Sequence, residues 1–117
     1  YKLGRAIRGA IDTVDSNEKI AVIGTGGMSH QLQGERAGII NREFDISFLD
    51  RISNQPEELT KIHHHDYIMQ AGSEGVELVM WLVMRGALGK KVREIYRHYH
   101  VPASNTAAGL IILEDDD

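Results

Sequence analysis

The segment Ile20-Ala21-Val22-Ile23-Gly24-Thr25-Gly26-Gly27-Met28-Ser29-His30 constrains the fold more than any other part of the chain. Its apolar, partly β-branched opening is bounded by Glu18 and Lys19 before and by glycine after. That pattern predicts a buried strand over Ile20–Ile23, of the kind found in an α/β sheet. Gly24, Gly26 and Gly27 then let the backbone turn sharply. The turn falls at a strand's carboxyl end, the edge where open α/β sheets place their sites. GTGG matches neither GxGxxG nor GxxxxGK[ST], and no lysine follows, so a nucleotide site is a poor reading. What the turn delivers is His30, held out toward a crevice, unless the imidazole merely hydrogen-bonds its own loop.

The remaining pattern is consistent with such a sheet. Leu3, Ile7, Ala10, Ile11 and Val14 recur at helical spacing, predicting a surface helix over residues 2–14. Residues 31–43 have no clear period and read as loop. Phe44, Phe48, Leu49 and Ile52 return to helical spacing, and Pro56 with Glu57 and Glu58 opens a short helix. A long helical candidate covers residues 66–88, with an interruption near Gly72 to Gly75. Its LVMWLVM run is apolar on every side, which predicts burial all round, with Met80, Trp81 and Met84 as core packing. Residues 92–101 and 107–113 read as strands around a turn at 102–105. The expected fold class is α/β: one unit over residues 1–117, the C-terminal portion of a single domain, with a partly mixed sheet flanked by helices. The chain starts at Tyr1 and enters a helix at once, which suggests a part of something longer.

Composition removes several function classes. The chain has 117 residues with 13 basic and 17 acidic side chains, a formal charge of −4, and Glu114 to Asp117 supply four of the negative charges. No basic stripe favours nucleic acid. No apolar run approaches transmembrane length and no signal peptide is evident, so a membrane role is not expected. With no cysteine, disulfides, thiolate catalysis and thiolate metal sites are excluded. A cytoplasmic location is the expectation.

Among acidic residues Glu77 stands out, because a carboxylate heading an apolar run would be desolvated and need a proton, a partner or a metal. Glu74 lies one turn earlier; both acids would equally suit the first turn of a helix. His63, His64 and His65 are consecutive and point in different directions on a helix, so they are expected to be exposed rather than to converge on one ion. His98 and His100 share a strand face with Tyr96. They admit a chelating reading, and with a glutamate a metal hydrolase, but an ordinary half-buried strand fits as well. A cysteine-free transition-metal site would use imidazole and carboxylate, as in the two-histidine, one-carboxylate arrangement of non-haem Fe(II) oxygenases.

Three stretches, IGTGGMSHQLQGERAG, AGSEGVELVMWLVMRGAL and HYHVPASNTAAG, resemble in order and spacing the C-terminal part of the catalytic β subunits of class III extradiol ring-cleaving dioxygenases. That is the family of protocatechuate 4,5-dioxygenase and gallate dioxygenase. The resemblance implies that His30 is the acid/base histidine, that Glu77 is the carboxylate ligand of Fe(II), and that Ser104, with Asn105 and Thr106, lines the aromatic substrate's pocket. It also implies Fe(II) as cofactor, a catecholic aromatic acid and O₂ as substrates, and an oligomeric enzyme. The family's two histidine ligands lie in an N-terminal part with no match here. That part, and a small α subunit or fused segment, are therefore the implied partners, and this chain alone is expected to be inactive. A non-catalytic binding or regulatory module built on the same fold is the alternative.

Overall fold

The computed structural model describes residues 1–116. Its centre is α2 (Arg42–Asn54), which the sequence encodes twice over. The Asn41 side chain accepts from the Phe44 N–H at 3.1 Å and caps the first turn, while Glu43 and Asp45 sit at the positive end of the helix dipole. Phe44, Phe48, Leu49 and Ile52 form the apolar stripe, and all are buried. Phe48 meets the rings of Tyr67 and Trp81 edge-on, with centroids 6.3 and 6.0 Å away.

Around α2 stand α3 (Pro56–Thr60), α4 (His64–Ala71), a 3-10 turn (Gly75–Leu78) and α5 (Val79–Gly86). The long helix expected over residues 66–88 is thus broken where the glycines of Gly72-Ser73-Glu74-Gly75 predicted an interruption. At the start of the chain, α1 (Lys2–Ile11) lies on α5 at very short range. A Cβ on Gly4 would fall 2.8 Å from Gly86 Cα, so only glycine permits that crossing. Arg85 of α5 is buried and donates to the carbonyls of Ile52, Gly89 and Lys90 at 2.9, 2.8 and 3.1 Å, stitching α2 to the turn that follows α5.

β1 (Val92–His100) and β2 (Ala108–Asp115) form an antiparallel hairpin with a register shift between Glu94 and Tyr96. The α/β class holds, but the sheet among the described residues has two strands and is antiparallel. Residues 20–23, expected to form a buried strand, form none: they pair with nothing among the described residues, and Ile20, Ala21 and Ile23 are exposed. Val22, Gly24 and Gly26 are half-buried, Gly24 against Met80, Trp81 and Met84 of α5, whereas Ile23 is 81% exposed. The LVMWLVM run is also less enclosed than expected, since Trp81 and Leu82 are buried but Met80 is 49% exposed. Both departures have one cause: nothing among these residues covers the outer side of that layer. No helix among the described residues is long and apolar enough to cross a membrane.

Candidate functional site

Three segments close on His30. On one side, residues 28–30 run antiparallel to residues 106–107: Met28 N–H donates to the Ala107 carbonyl at 2.9 Å, and Ala107 N–H to the Ser29 carbonyl at 3.1 Å. On the other, the His30 N–H donates to the Ala71 carbonyl at 2.7 Å, and its carbonyl accepts from the Gly75 N–H at 3.3 Å. Every backbone polar group of His30 is therefore used, and the residue is fixed between the end of α4 and the start of β2. It is 7% exposed, so the histidine expected to project from its turn is in fact enclosed. The turn folds the ring back over Gly27 instead of carrying it outward.

The ring's orientation follows from one contact. His30 Nδ1 lies 2.7 Å from the Met28 carbonyl oxygen, which can only accept. Nδ1 therefore carries the proton, and in the neutral ring Nε2 is the basic nitrogen. A Cβ on Gly27 would fall 2.8 Å from His30 Cε1 and 3.2 Å from Thr106 Cγ2, which shows how tightly ring, loop and Thr106 pack.

The same loop holds Glu77. Gly27 N–H donates to Glu77 Oε2 at 3.1 Å, and the Trp81 indole N–H donates to the Gly26 carbonyl at 3.2 Å. Gly26 has φ +136°, and a Cβ there would stand 2.7 Å from Glu77 Cβ. A side chain at this position would thus be strained by backbone and neighbour alike. Glu77 sits in the 3-10 turn and is exposed, not desolvated as its place before the apolar run suggested. The open layer beside α5 leaves it facing outward. Glu74 does not pair with it: its Oε2 accepts from Ser73 Oγ at 2.5 Å and from the Leu32 N–H at 3.3 Å. The Ser73 hydroxyl foremost, with the Leu32 amide, holds Glu74 below the ordinary carboxylate range.

Behind the loop is a group of residues that the sequence reading missed. Asp45 of α2 is fully buried and accepts three hydrogen bonds: from Ser29 N–H at 2.9 Å, Ser29 Oγ at 2.5 Å and Tyr99 Oη at 2.6 Å. Ser29 Oγ in turn accepts from the Asn41 N–H at 2.8 Å. Burial pushes the Asp45 carboxyl above its ordinary value, and the Ser29 and Tyr99 bonds, with the nearby His30, offset only part of that. Burial, then the bond to Asp45, raises the Tyr99 phenol as well, and the Arg42 guanidinium lies 5.1 Å from the centre of its ring. The signal for this group was present, since Asp45 is three, four and seven residues before Phe48, Leu49 and Ile52. A carboxylate in phase with a buried stripe must have buried donors.

Of the expected pocket residues, Thr106 is half-buried beside His30, while Ser104 and Asn105 are exposed on the turn between the strands. Asn105 has φ 57°, and its amide lies over Gly38. His63, His64 and His65 are exposed, as their spacing predicts. His98 and His100 are exposed, with rings stacked 6.3 Å apart. Among the described residues no three histidine, aspartate or glutamate side chains converge to hold a metal ion. These residues alone do not fit an iron site; Glu77 offers one carboxylate, with Oε2 turned to Gly27.

Comparison with known proteins identifies the family. The family model described as the catalytic LigB subunit of aromatic ring-opening dioxygenase matches residues 1–109. The chain is 42% identical over all of its 117 residues to a protein named gallate dioxygenase from Pseudomonas putida, and spans 34% of that protein's length. With the family model covering nearly the whole chain, and the histidine loop and the glutamate bound through Gly27, the chain belongs to the LigB family of aromatic ring-opening dioxygenase subunits.

Proposed function

We propose that this chain supplies part of the active site of an Fe(II)-dependent extradiol dioxygenase that opens the ring of a carboxylated catechol with O₂. The observation that carries the reading is the joint hold of one loop on two groups. His30 has its tautomer set by the Met28 carbonyl, and Glu77 is bound to the N–H of Gly27, three residues before His30. Glu77 is the carboxylate ligand in this reading, and two histidines from outside the chain complete the iron site. Bound there, Fe(II) would orient the catechol and O₂ together.

The chain's own contribution is proton transfer and position. His30 Nε2 accepts a proton from a substrate hydroxyl and later returns it, and the Nδ1 bond to Met28 stabilises the imidazolium formed in between. Thr106 borders the ring, and Ser104 and Asn105 stand on the adjoining turn, where they line the aromatic acid's pocket. Gallate is the first candidate substrate, because the relative bears that name; protocatechuate is the second. The rest of the subunit, with a small α subunit or fused segment, closes the pocket in an oligomeric enzyme.

The test is oxygen uptake by the complete polypeptide that carries these residues, loaded anaerobically with Fe(II) and offered gallate and protocatechuate separately. Uptake is expected with at least one of them, and His30→Ala and Glu77→Ala should each abolish it. Bound iron without uptake on either catechol overturns the enzymatic reading and leaves a binding module on the same fold.

A further inference from the structure

A groove of about 600 Å³ runs between residues 20–26 and the free edge of β2, from Gly109 to Leu113. Its floor is Trp81, Met84 and Leu88, on and just after α5. One rim is a paired strand with a free edge, and the other is a segment that pairs with no strand among the described residues. No backbone N–H or C=O of residues 20–25 is hydrogen-bonded within the described residues, although exposure alternates along residues 21–26 and Gly24 lies against Met80, Trp81 and Met84. β2 pairs only with β1, so alternate amides along its other edge face the groove. The side chains nearby are apolar and open: Ile20, Ile23, Leu110 and Ile112 are 52, 81, 50 and 47% exposed. Apolar rims carrying unmet backbone donors and acceptors suit an extended peptide, which satisfies both at once.

We infer that the groove is a vacant position in a sheet, filled by one β-strand from the two thirds of the dioxygenase polypeptide that lie outside the matched region. The relative is about three times as long as this chain, so it contains ample polypeptide to supply one. A second copy of this chain is a poorer occupant, because an inserted strand needs both edges free and β1 and β2 each spend one edge on the other. The geometry fixes the character of the completed sheet. Residues 28–30 run antiparallel to residues 106–107 where the two rims meet, so the rims point in opposite directions. One strand between them must pair parallel with one rim and antiparallel with the other. The completed sheet is therefore mixed, with residues 20–26, the inserted strand, β2 and β1 in that order. If the inserted strand runs with residues 20–26, its carboxyl end lies at the edge that carries His30 and Glu77; this last link rests on the proposed function.

The test is amide hydrogen exchange, read by mass spectrometry, on the complete polypeptide beside the 117-residue chain. In the complete polypeptide, amides of residues 20–26 and alternate amides of β2 should exchange at least 100-fold more slowly than in the 117-residue chain. Ile23→Lys and Ile112→Lys, both at exposed positions, should reduce that protection at least tenfold at both rims without changing β1. Fast exchange at residues 20–26 in the complete polypeptide overturns the inference. So does protection that appears in the 117-residue chain alone and rises with its concentration, which would identify a second copy as the occupant. Oxygen uptake measured on the same samples separates the two readings. Uptake without protection refutes the strand, and protection without uptake refutes the enzyme.

Discussion

At the scale of single residues, Asp45 holds the glycine loop from behind. Its three neighbours, Ser29 N–H, Ser29 Oγ and Tyr99 Oη, all donate, so a carboxylate satisfies them and an amide does not. Asp45→Asn presents an NH₂ to at least one of those donors. It should destabilise the chain by about 1.5–3 kcal/mol in urea denaturation, the range for a hydrogen bond to a charged group. The direction of the Asp45 shift gives a second prediction. Because its pKa is raised in the folded chain above the ordinary 3.8, the folded state binds that proton more tightly than the unfolded state does. The associated stability is complete below the ordinary value and is lost as pH rises through the raised one. Unfolding curves from about pH 4 upward should show this decline in the wild type, and the difference from Asp45→Asn should isolate it. Gly26 is the other sensitive position. Gly26→Ala combines positive φ with a Cβ contact on Glu77, and should lower stability by more than about 1 kcal/mol and displace the carboxylate, as thermal unfolding and a crystal structure would report.

At the scale of elements, Arg85 joins parts that propensity alone would leave separate. It is buried and carries its charge onto backbone carbonyls rather than a carboxylate, and burial lowers its pKa. Arg85→Met fills similar volume but leaves the carbonyls of Ile52, Gly89 and Lys90 without their donor. A loss of about 3 kcal/mol or more is expected in chemical denaturation. Such links explain what could be read from the sequence and what could not. The helix through Phe44, Phe48, Leu49 and Ile52, the break at Gly72 to Gly75 and the hairpin after Lys91 are local, and each was legible as a period or a breaker. The state of Ile20–Ile23 was not, because a strand is completed by its neighbours and no neighbour lies among these residues. The exposure of Glu77 and Met80 escaped notice for the same reason. Asp45 escaped because its donors come from residues 16 and 54 positions away, a distance that no local pattern spans.

At the scale of the molecule, the radius of gyration is 14.9 Å, against roughly 13 Å for a compact domain of this length. The extents of 51 × 25 × 20 Å describe a long body with one side of its layer open. The donor set is equally incomplete. Equilibrated anaerobically with Fe(II), the 117-residue chain should retain far less than one equivalent after desalting and take up no oxygen with gallate or protocatechuate. Stoichiometric iron with ring cleavage by this chain alone would contradict the division of ligands argued above.

Trp81 is the chain's single tryptophan, and it is held at the junction of these parts. Its indole donates to the Gly26 carbonyl, its side chain forms part of the groove's floor, and Glu77 lies one turn before it. The protein therefore contains its own fluorophore at the one place where loop, groove and carboxylate meet. Because the indole is already buried, its emission should stay at short wavelength while its intensity responds as the layer beside it is covered, with no label attached. A break of the Gly26 bond should change intensity before any loss of helical signal, so assembly and loop order can be followed by light alone.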